Sequence, residues 1–204
     1  MTMAPLQKLL DGNLIPQIGL GTWPMKDEEV ASVINDAISM GYRLFDTAVN
    51  YGNERGVGEG LRSSGIPRED VFITTKVPGR HHGYDEAKRS LQESLDRMQL
   101  DYVDLYLIHW PNPLENKYIE TWRALVDLQQ EGKARSIGVS NFKPSHLDRI
   151  IEDSGVTPSV NQIQLYPAVT QVESRAYHEQ HGIVTESWSP LGLERAHIGA
   201  DQRR

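Results

Sequence analysis

The sequence predicts an α/β protein whose parallel strands close toward a (β/α)8 barrel, with about seven of the strands present. Three observations carry that expectation. Seven short apolar runs alternate with six segments of helical periodicity. The runs are continuously apolar rather than alternating, as strands buried on both faces are. Asp46, Lys76, His109, Ser140-Asn141, Gln162 and Trp188 each stand at the C-terminal end of a different consecutive strand, which is the rim anatomy of a barrel. A doubly wound sheet instead gathers its ligand groups at one or two switch points. The only glycine-rich turn after a strand, GLGTWP, does not continue as G-x-G-x-x-G.

Taken in order, QKLLDGNLIPQIGLGTW holds Asp11-Gly12 between two apolar runs, the dipeptide of a two-residue hairpin turn, so a small β-hairpin lid is expected first. Ile18–Trp23 makes the first core strand. Asp27 precedes a helix with Val30, Val33, Ile34, Ala37 and Ile38 on one face, ending at Gly41. Strand Tyr42–Thr47 leads to a helix around Glu54–Ser63, and strand Val71–Val77 to a helix around Asp85–Met98 with Leu91, Leu95 and Met98 inward. Strand Val103–Trp110 leads to a helix around Tyr118–Glu131 with Ile119, Trp122 and Val126 inward. Strand Ala134–Ser140 leads to a helix around Pro144–Asp153 with Leu147, Ile150 and Ile151 inward. Strand Ser159–Leu165, a helix around Gln171–His181 and strand Ile183–Ser189 complete the series.

Composition narrows the function classes. With 204 residues, 38% of them hydrophobic, the chain can fill a sizeable core. It has no cysteine, which excludes a disulfide framework and a thiolate zinc site. The first thirty residues show no signal-peptide pattern, and no stretch approaches the roughly 20 apolar residues that span a bilayer, so cytosol is the expected location. A net charge of −7 argues against coating nucleic acid.

The chemistry gathers around GYRLFDTAVNYGNERGVG, where Asp46 and Tyr51 lie five residues apart at the end of an apolar run. Alone, such a pair also reads as a turn-capping aspartate and a packed tyrosine ring. Lys76, closing Phe72-Ile-Thr-Thr-Lys, is costly to bury without an opposite charge, and Asp46 on the adjacent strand end is the available carboxylate. An ammonium close to a phenol favours the phenolate, so Lys76 is expected to bring Tyr51 down from about 10 and make it a better proton donor. His109, after Leu105-Tyr-Leu-Ile, can donate a hydrogen bond to a substrate oxygen beside that hydroxyl. Trp23 and Trp110 flank the same rim as an apolar substrate wall or as loop anchors.

These residues and the segments GYRLFDTAVNYGNE, VFITTK, DYVDLYLIHWP, GKARSIGVSNF and NQIQLYP resemble the aldo-keto reductases, most closely the bacterial branch that includes the 2,5-diketo-gluconate reductases. The resemblance runs from about Leu6 to Gly192. It implies a TIM barrel without a Rossmann domain, an extended NADPH (NADP+) across the rim, and hydride transfer to a small aldehyde or ketone. It implies Tyr51 as proton donor, Lys76 and Asp46 as the groups that tune it, and His109 as the residue that orients the carbonyl. Ser140, Asn141 and Gln162 match the positions that hold the nicotinamide carboxamide, and Trp188 the aromatic that stacks on the ring. Gly21, Thr22, Trp23, Asp46, Ser189 and Leu191 complete the implied cofactor contacts; Trp23, Tyr51, His109 and Trp110 are the implied substrate contacts. No metal is expected. His178 and His181 read as a solvated helix face, His81-His82 as a loop that either edges the site or does nothing, and the glycines of GVGEG as close packing or help for an anion.

The resembled family continues beyond Trp188-Ser-Pro-Leu-Gly through a long loop, a helix, an eighth strand and an eighth helix, whereas here LERAHIGADQRR follows. The expectation is therefore a barrel unit at 1–192 with an atypical tail at 193–204, the chain being truncated, frameshifted or completed by a partner. With it goes self-association through an open seam. The segment that grips the 2′-phosphate is also missing, so weak discrimination between NADPH and NADH is expected unless Arg195 or Arg203 substitutes. The alternative function is a non-catalytic remnant that keeps the reductase sequence but cannot close its barrel or hold the cofactor tightly.

Overall fold

After an N-terminal hairpin, chain order and spatial order coincide: each strand pairs in parallel with its successor across an intervening helix. The computed structural model describes residues 4–192, so the expectations on the tail at 193–204, Arg195 and Arg203 included, lie outside the described residues. The hairpin is β1 (Leu6–Lys8) and β2 (Leu14–Pro16). The seven-stranded sheet is β3 (Gly19–Gly21), β4 (Leu44–Asp46), β5 (Phe72–Val77), β6 (Val103–Ile108), β7 (Ala134–Ser140), β8 (Val160–Gln164) and β9 (Val184–Trp188). Between them run α1 (Asp27–Ser39), α2 (Glu54–Ser64), α3 (Tyr84–Met98), α4 (Tyr118–Gln130), α5 (Pro144–Ser154) and α6 (Val172–His181). Seven strands and six helices match the expected count, and the sheet curls into a nearly closed parallel barrel.

Strand parity builds the core twice over. Phe45, Ile73, Tyr106 and Ile108 face outward and pack with Val30 and Ile34 of α1, Leu91 and Leu95 of α3, and Trp122 and Leu125 of α4. Their neighbours Leu44, Phe72, Leu105, Leu107 and Val160 face inward and meet Leu9 and Ile15 of the hairpin. The hairpin is thus a plug in the floor of the barrel, not a cover over the rim. Asn13 Nδ2 donates to Arg135 O at 3.1 Å and to Ser136 Oγ at 3.0 Å, and Ser159 Oγ donates to Asp11 Oδ2 at 3.0 Å, all at the N-terminal ends of β7 and β8. Its turn also differs from the two-residue expectation. Lys8 pairs with Leu14, which leaves five loop residues, 9–13, closed by Leu9 N–H to Asn13 O at 2.8 Å. Burying Leu9 requires that wider loop, because a two-residue turn would hold it in the strand register.

Two further differences have local causes. The first core strand is only Gly19–Gly21, because Ile18 and Trp23 are exposed and β3 has a single neighbour among the described residues. On α4 the buried face is centred on Tyr118, Thr121, Trp122 and Leu125, with Ile119 and Val126 half-buried; hydroxyl-bearing Tyr118 and Thr121 hide that face from an apolar count. On α5, Ile151 is likewise half-buried beside buried Leu147 and Ile150. The α2 glycines serve close packing: a Cβ at Gly56 would stand 2.2 Å from Asp27 O and one at Gly58 2.0 Å from Met98 O. Gly56 N–H is already engaged by Asp27 Oδ1 at 2.7 Å, so no anion is needed there.

β3 and β9 are the two ends of the sheet and do not pair with each other. Every residue of β9 is only half-buried, whereas β5 and β6 are buried throughout.

Candidate active site

The same parity that fills the interior with Leu44, Phe72, Leu105 and Val160 carries the next inward positions to the rim. Two or four residues further along their strands stand Asp46, Lys76, His109 and Gln162, and on β7 and β9 Ser140 and Trp188 do the same. They meet a cavity of about 1180 Å³ that runs along the seam between β3 and β9. Trp23, Tyr51, His109, Trp110 and Trp188 line its mouth, and Gln7, Lys8 and Gly182 its far end.

Lys76 is fully buried at the centre. Its ammonium pairs with the Asp46 carboxylate, donates to Thr47 O at 3.0 Å and stands 3.4 Å from Tyr51 Oη. Burial pushes Lys76 down, but Asp46, Tyr51 and Glu186 push it up and win, so it stays charged. Tyr51 sits in a one-turn helix after β4, and its ring meets His109 edge to face, with centroids 5.9 Å apart. Its hydroxyl is held above the ordinary phenol value, chiefly by burial. Lys76 pulls the other way, as expected from the sequence, but burial together with the carboxylates of Asp46 and Glu186 outweighs it. The expected net lowering of Tyr51 is therefore corrected: the lysine limits a rise. His109 is lowered to about 4 by burial and by the Lys76 ammonium, so it is neutral at pH 7. Its Nδ1 is shielded and meets no partner among the described residues.

The other rim residues hold one another. Gln162 Nε2 donates to Asp46 Oδ2 at 2.8 Å. Ser140 Oγ donates to Gln162 O at 2.8 Å and accepts from Asn141 Nδ2 at 2.9 Å. Asn141, at a left-handed φ of 63°, also donates to His109 O at 3.1 Å and accepts from Trp188 Nε1 at 2.9 Å. Gly21, Trp23, Ser140, Asn141, Gln162, Trp188 and Ser189 all line the cavity. Two expected contacts stand apart. Thr22 is buried, its hydroxyl bonded to Asp46 O at 3.0 Å and Asn53 Oδ1 at 3.3 Å, and Leu191 is 98% exposed away from the cavity.

One group escaped the sequence reading. Glu186 lies two residues before Trp188 on β9, opposite Gln162, and feels the charges of Asp46 and Lys76. Burial and then Asp46 raise its carboxyl to about 7. The two-residue period from Trp188 was the signal that could have found it. His178 corrects another expectation: it is fully buried, takes a hydrogen bond from Asn161 Nδ2 at 2.9 Å and pairs through Nδ1 with Thr185 Oγ1 at 2.8 Å. A histidine at the inner face of α6 ties two strands; only His181 is on the solvated side, stacked on Tyr177. His81 and His82 do not line the cavity. Among the described residues no group of side chains has the makings of a metal site, and no helix is long and apolar enough to cross a membrane.

Residues 17–197 match the profile of the aldo/keto reductase family. The chain is 49% identical over 184 residues to methylglyoxal reductase DkgA of Escherichia coli O157:H7, covering 90% of this chain and 66% of that protein. It is 48% identical over 191 residues to 2,5-diketo-D-gluconic acid reductase B of a Corynebacterium species, covering 94% of this chain and 69% of that one. The chain thus spans about two thirds of the length of these curated relatives. The crystal structure of a Bombyx mori aldo-keto reductase in complex with NADP superposes with a TM-score of 0.90 at 38% identity, over 98% of this chain and 71% of that one. Rim, strand order and sequence agree: the chain belongs to the aldo/keto reductase family.

Proposed function

We propose that the chain is an NADPH-dependent reductase of small aldehydes or ketones, with Tyr51 as the proton donor. One observation carries the reading: Tyr51, the buried Lys76–Asp46 pair and neutral His109 converge at the mouth of one cavity. The dinucleotide named in the Bombyx mori complex suits this donor set, since Ser140, Asn141 and Gln162 offer short polar groups for a carboxamide and Trp188 an aromatic face. When bound, that group supplies the hydride.

The chain's own residues do the rest. His109, with no acceptor for Nδ1, carries its proton on Nε2 and offers it to the carbonyl oxygen, which fixes the substrate beside Tyr51. Tyr51 holds the proton that this oxygen takes up. The Lys76 ammonium, 3.4 Å away, stabilises the phenolate left behind, and Asp46 keeps the ammonium in place. Trp23 and Trp110, 62% and 48% exposed, give the substrate an apolar wall. The curated relatives point to methylglyoxal-like or diketo-gluconate-like carbonyls as the first substrates to try.

A second reading, a non-catalytic remnant that cannot close its barrel or hold the cofactor tightly, is favoured by the β3 and β9 edges, unpaired among the described residues, and the half-burial of β9. Self-association through those edges and a soluble location in the cytosol are part of the proposal, the former read by sedimentation of the purified chain. Fluorescence titration with NADPH, followed by turnover of methylglyoxal, separates the two: saturable binding with consumption of NADPH supports the reductase, and weak or absent binding, or binding without consumption, the remnant.

A further inference from the structure

We infer that Glu186 is a fifth, positioning member of this site, a carboxyl whose protonation state sets the charge felt by the Asp46–Lys76–Tyr51 chain. Its effect on turnover rests on the reductase reading above; the coupling itself does not.

At the cavity stand one buried ammonium, Lys76, and two half-buried carboxyls, Asp46 and Glu186; the buried carboxylates Glu54 and Asp104 are paired elsewhere, with Arg97 and Arg68. The ammonium is already committed to Asp46 and Thr47 O, with Tyr51 Oη next to it. Glu186 therefore shares a cation that it does not own, and its Oε2 is shielded with no hydrogen-bond partner among the described residues. An ionised carboxylate with that oxygen shielded is disfavoured, while a neutral carboxylic acid leaves the Asp46–Lys76 pair balanced.

The connection is direct. Gln162 pairs with Glu186 across β8 and β9, and its side-chain amide steadies the Glu186 carboxylate while donating to Asp46 Oδ2 at 2.8 Å. The groups that face Glu186 are thus Asp46 from β4, Tyr51 from the loop after it, Lys76 from β5 and Gln162 from β8. β3, across the seam, contributes only Gly19, Leu20 and Gly21, and Lys8 lies at the far end of the cavity. Because Glu186 itself lines that cavity, protons can reach it from solvent.

The sign follows from the neighbours. An ionised Glu186 raises both Lys76 and Tyr51, which makes the phenol a weaker acid; a protonated Glu186 removes that load. With its carboxyl at about 7, the switch falls in the range where the chain is assayed. Reduction is therefore fastest below that value and falls as pH rises through it.

The test uses the 204-residue chain labelled with carbon-13 at glutamate Cδ and tyrosine Cζ, followed by NMR from about pH 3.5 to 8.5, a window that brackets an ordinary carboxyl and a raised one. One glutamate resonance is expected to titrate near 7 and to vanish in Glu186→Gln. The Tyr51 resonance, identified by its loss in Tyr51→Phe, is expected to shift with the same midpoint and to stay flat in Glu186→Gln. Should that variant fail to fold, co-titration of the two resonances in the parent still decides. A Glu186 that titrates in the ordinary range near 4.3, or a Tyr51 resonance indifferent to it, overturns the inference. Where turnover is measurable, a several-fold fall in reduction on passing pH 7 is expected in the parent and not in Glu186→Gln; the same fall in both also overturns it. A chain that never reduces a carbonyl sinks the reductase reading, while the two resonances still judge Glu186.

Discussion

Replacing Lys76 by Met tests the centre of the site. The side chain is fully buried, so Met occupies much of the same volume, and the change removes a charge rather than a plug. What remains is an Asp46 carboxylate held only by Gln162, a Thr47 carbonyl without its 3.0 Å donor, and Glu186 nearby. Breaking one side of a buried ion pair costs about 3–5 kcal/mol, a large share of the roughly 5–15 kcal/mol that holds a domain folded. Urea unfolding followed by circular dichroism reads it as a lower midpoint at unchanged slope. The charge argument makes a second demand: Asp46→Asn in the Lys76→Met background removes the stranded carboxylate and should recover about 2 kcal/mol. A Lys76→Met unfolding free energy within about 1 kcal/mol of the parent's, or no recovery in the double variant, would falsify the view that this pair is an electrostatic unit.

Three further outcomes are expected. Tyr51→Phe keeps the edge contact with His109 and loses only the proton, so carbonyl reduction should drop by about 10²–10⁴ while NADPH titration is unchanged; activity near the parent's removes Tyr51 as the acid. Gly58→Ala drives a Cβ to 2.0 Å from Met98 O, and overpacking of about 1–3 kcal/mol should exceed the gain of up to about 1 kcal/mol in helix propensity, giving a lower melting temperature. His178 is held at about 4 by burial, below the ordinary histidine value, so the unfolded chain binds the proton first: stability is full above about 6.5 and is lost as pH falls toward about 4. In His178→Gln the slope of unfolding free energy between pH 6 and 5 should shrink by close to one proton's worth, about 1.4 kcal/mol per pH unit at most, and an unchanged slope rejects the assignment.

How legible the molecule was from its sequence depends on which face a residue presents. Strands buried on both sides read as apolar runs, so β5, β6 and β7 were visible to within a few residues. Parallel strands deliver their C-terminal residues to one rim, so Asp46, Lys76, His109 and Gln162 were visible from their positions alone. Glu186 was not, because Thr185-Glu186-Ser187 reads as a polar, solvated stretch unless the inward parity is counted back from Trp188. His178 was missed for a related reason: its burial depends on Asn161 and Thr185, which are remote or polar and leave no mark on the helix pattern. The hairpin turn failed on a local rule, since Asp11-Gly12 favours a tight turn but the buried Leu9 needs a longer one. The net direction at Tyr51 failed on magnitude, since distance to Lys76 can be guessed from sequence and depth of burial cannot.

The floor plug also has a history in time. Asp11 and Asn13 are made well before their partners Ser159 and Ser136, which follow 148 and 123 residues later. At a synthesis rate of about 5–20 residues per second, Leu9 and Ile15 wait roughly 6–30 s for the strands they seal. During that interval the apolar face of the hairpin is only partly covered, since Leu44, Phe72, Leu105 and Leu107 emerge before Val160 completes the cluster. Ribosome-bound chains stalled before Ser159 should therefore recruit a holdase at the hairpin and release it once β8 has emerged, so the segment that closes the barrel floor is also one that needs shelter on the way there.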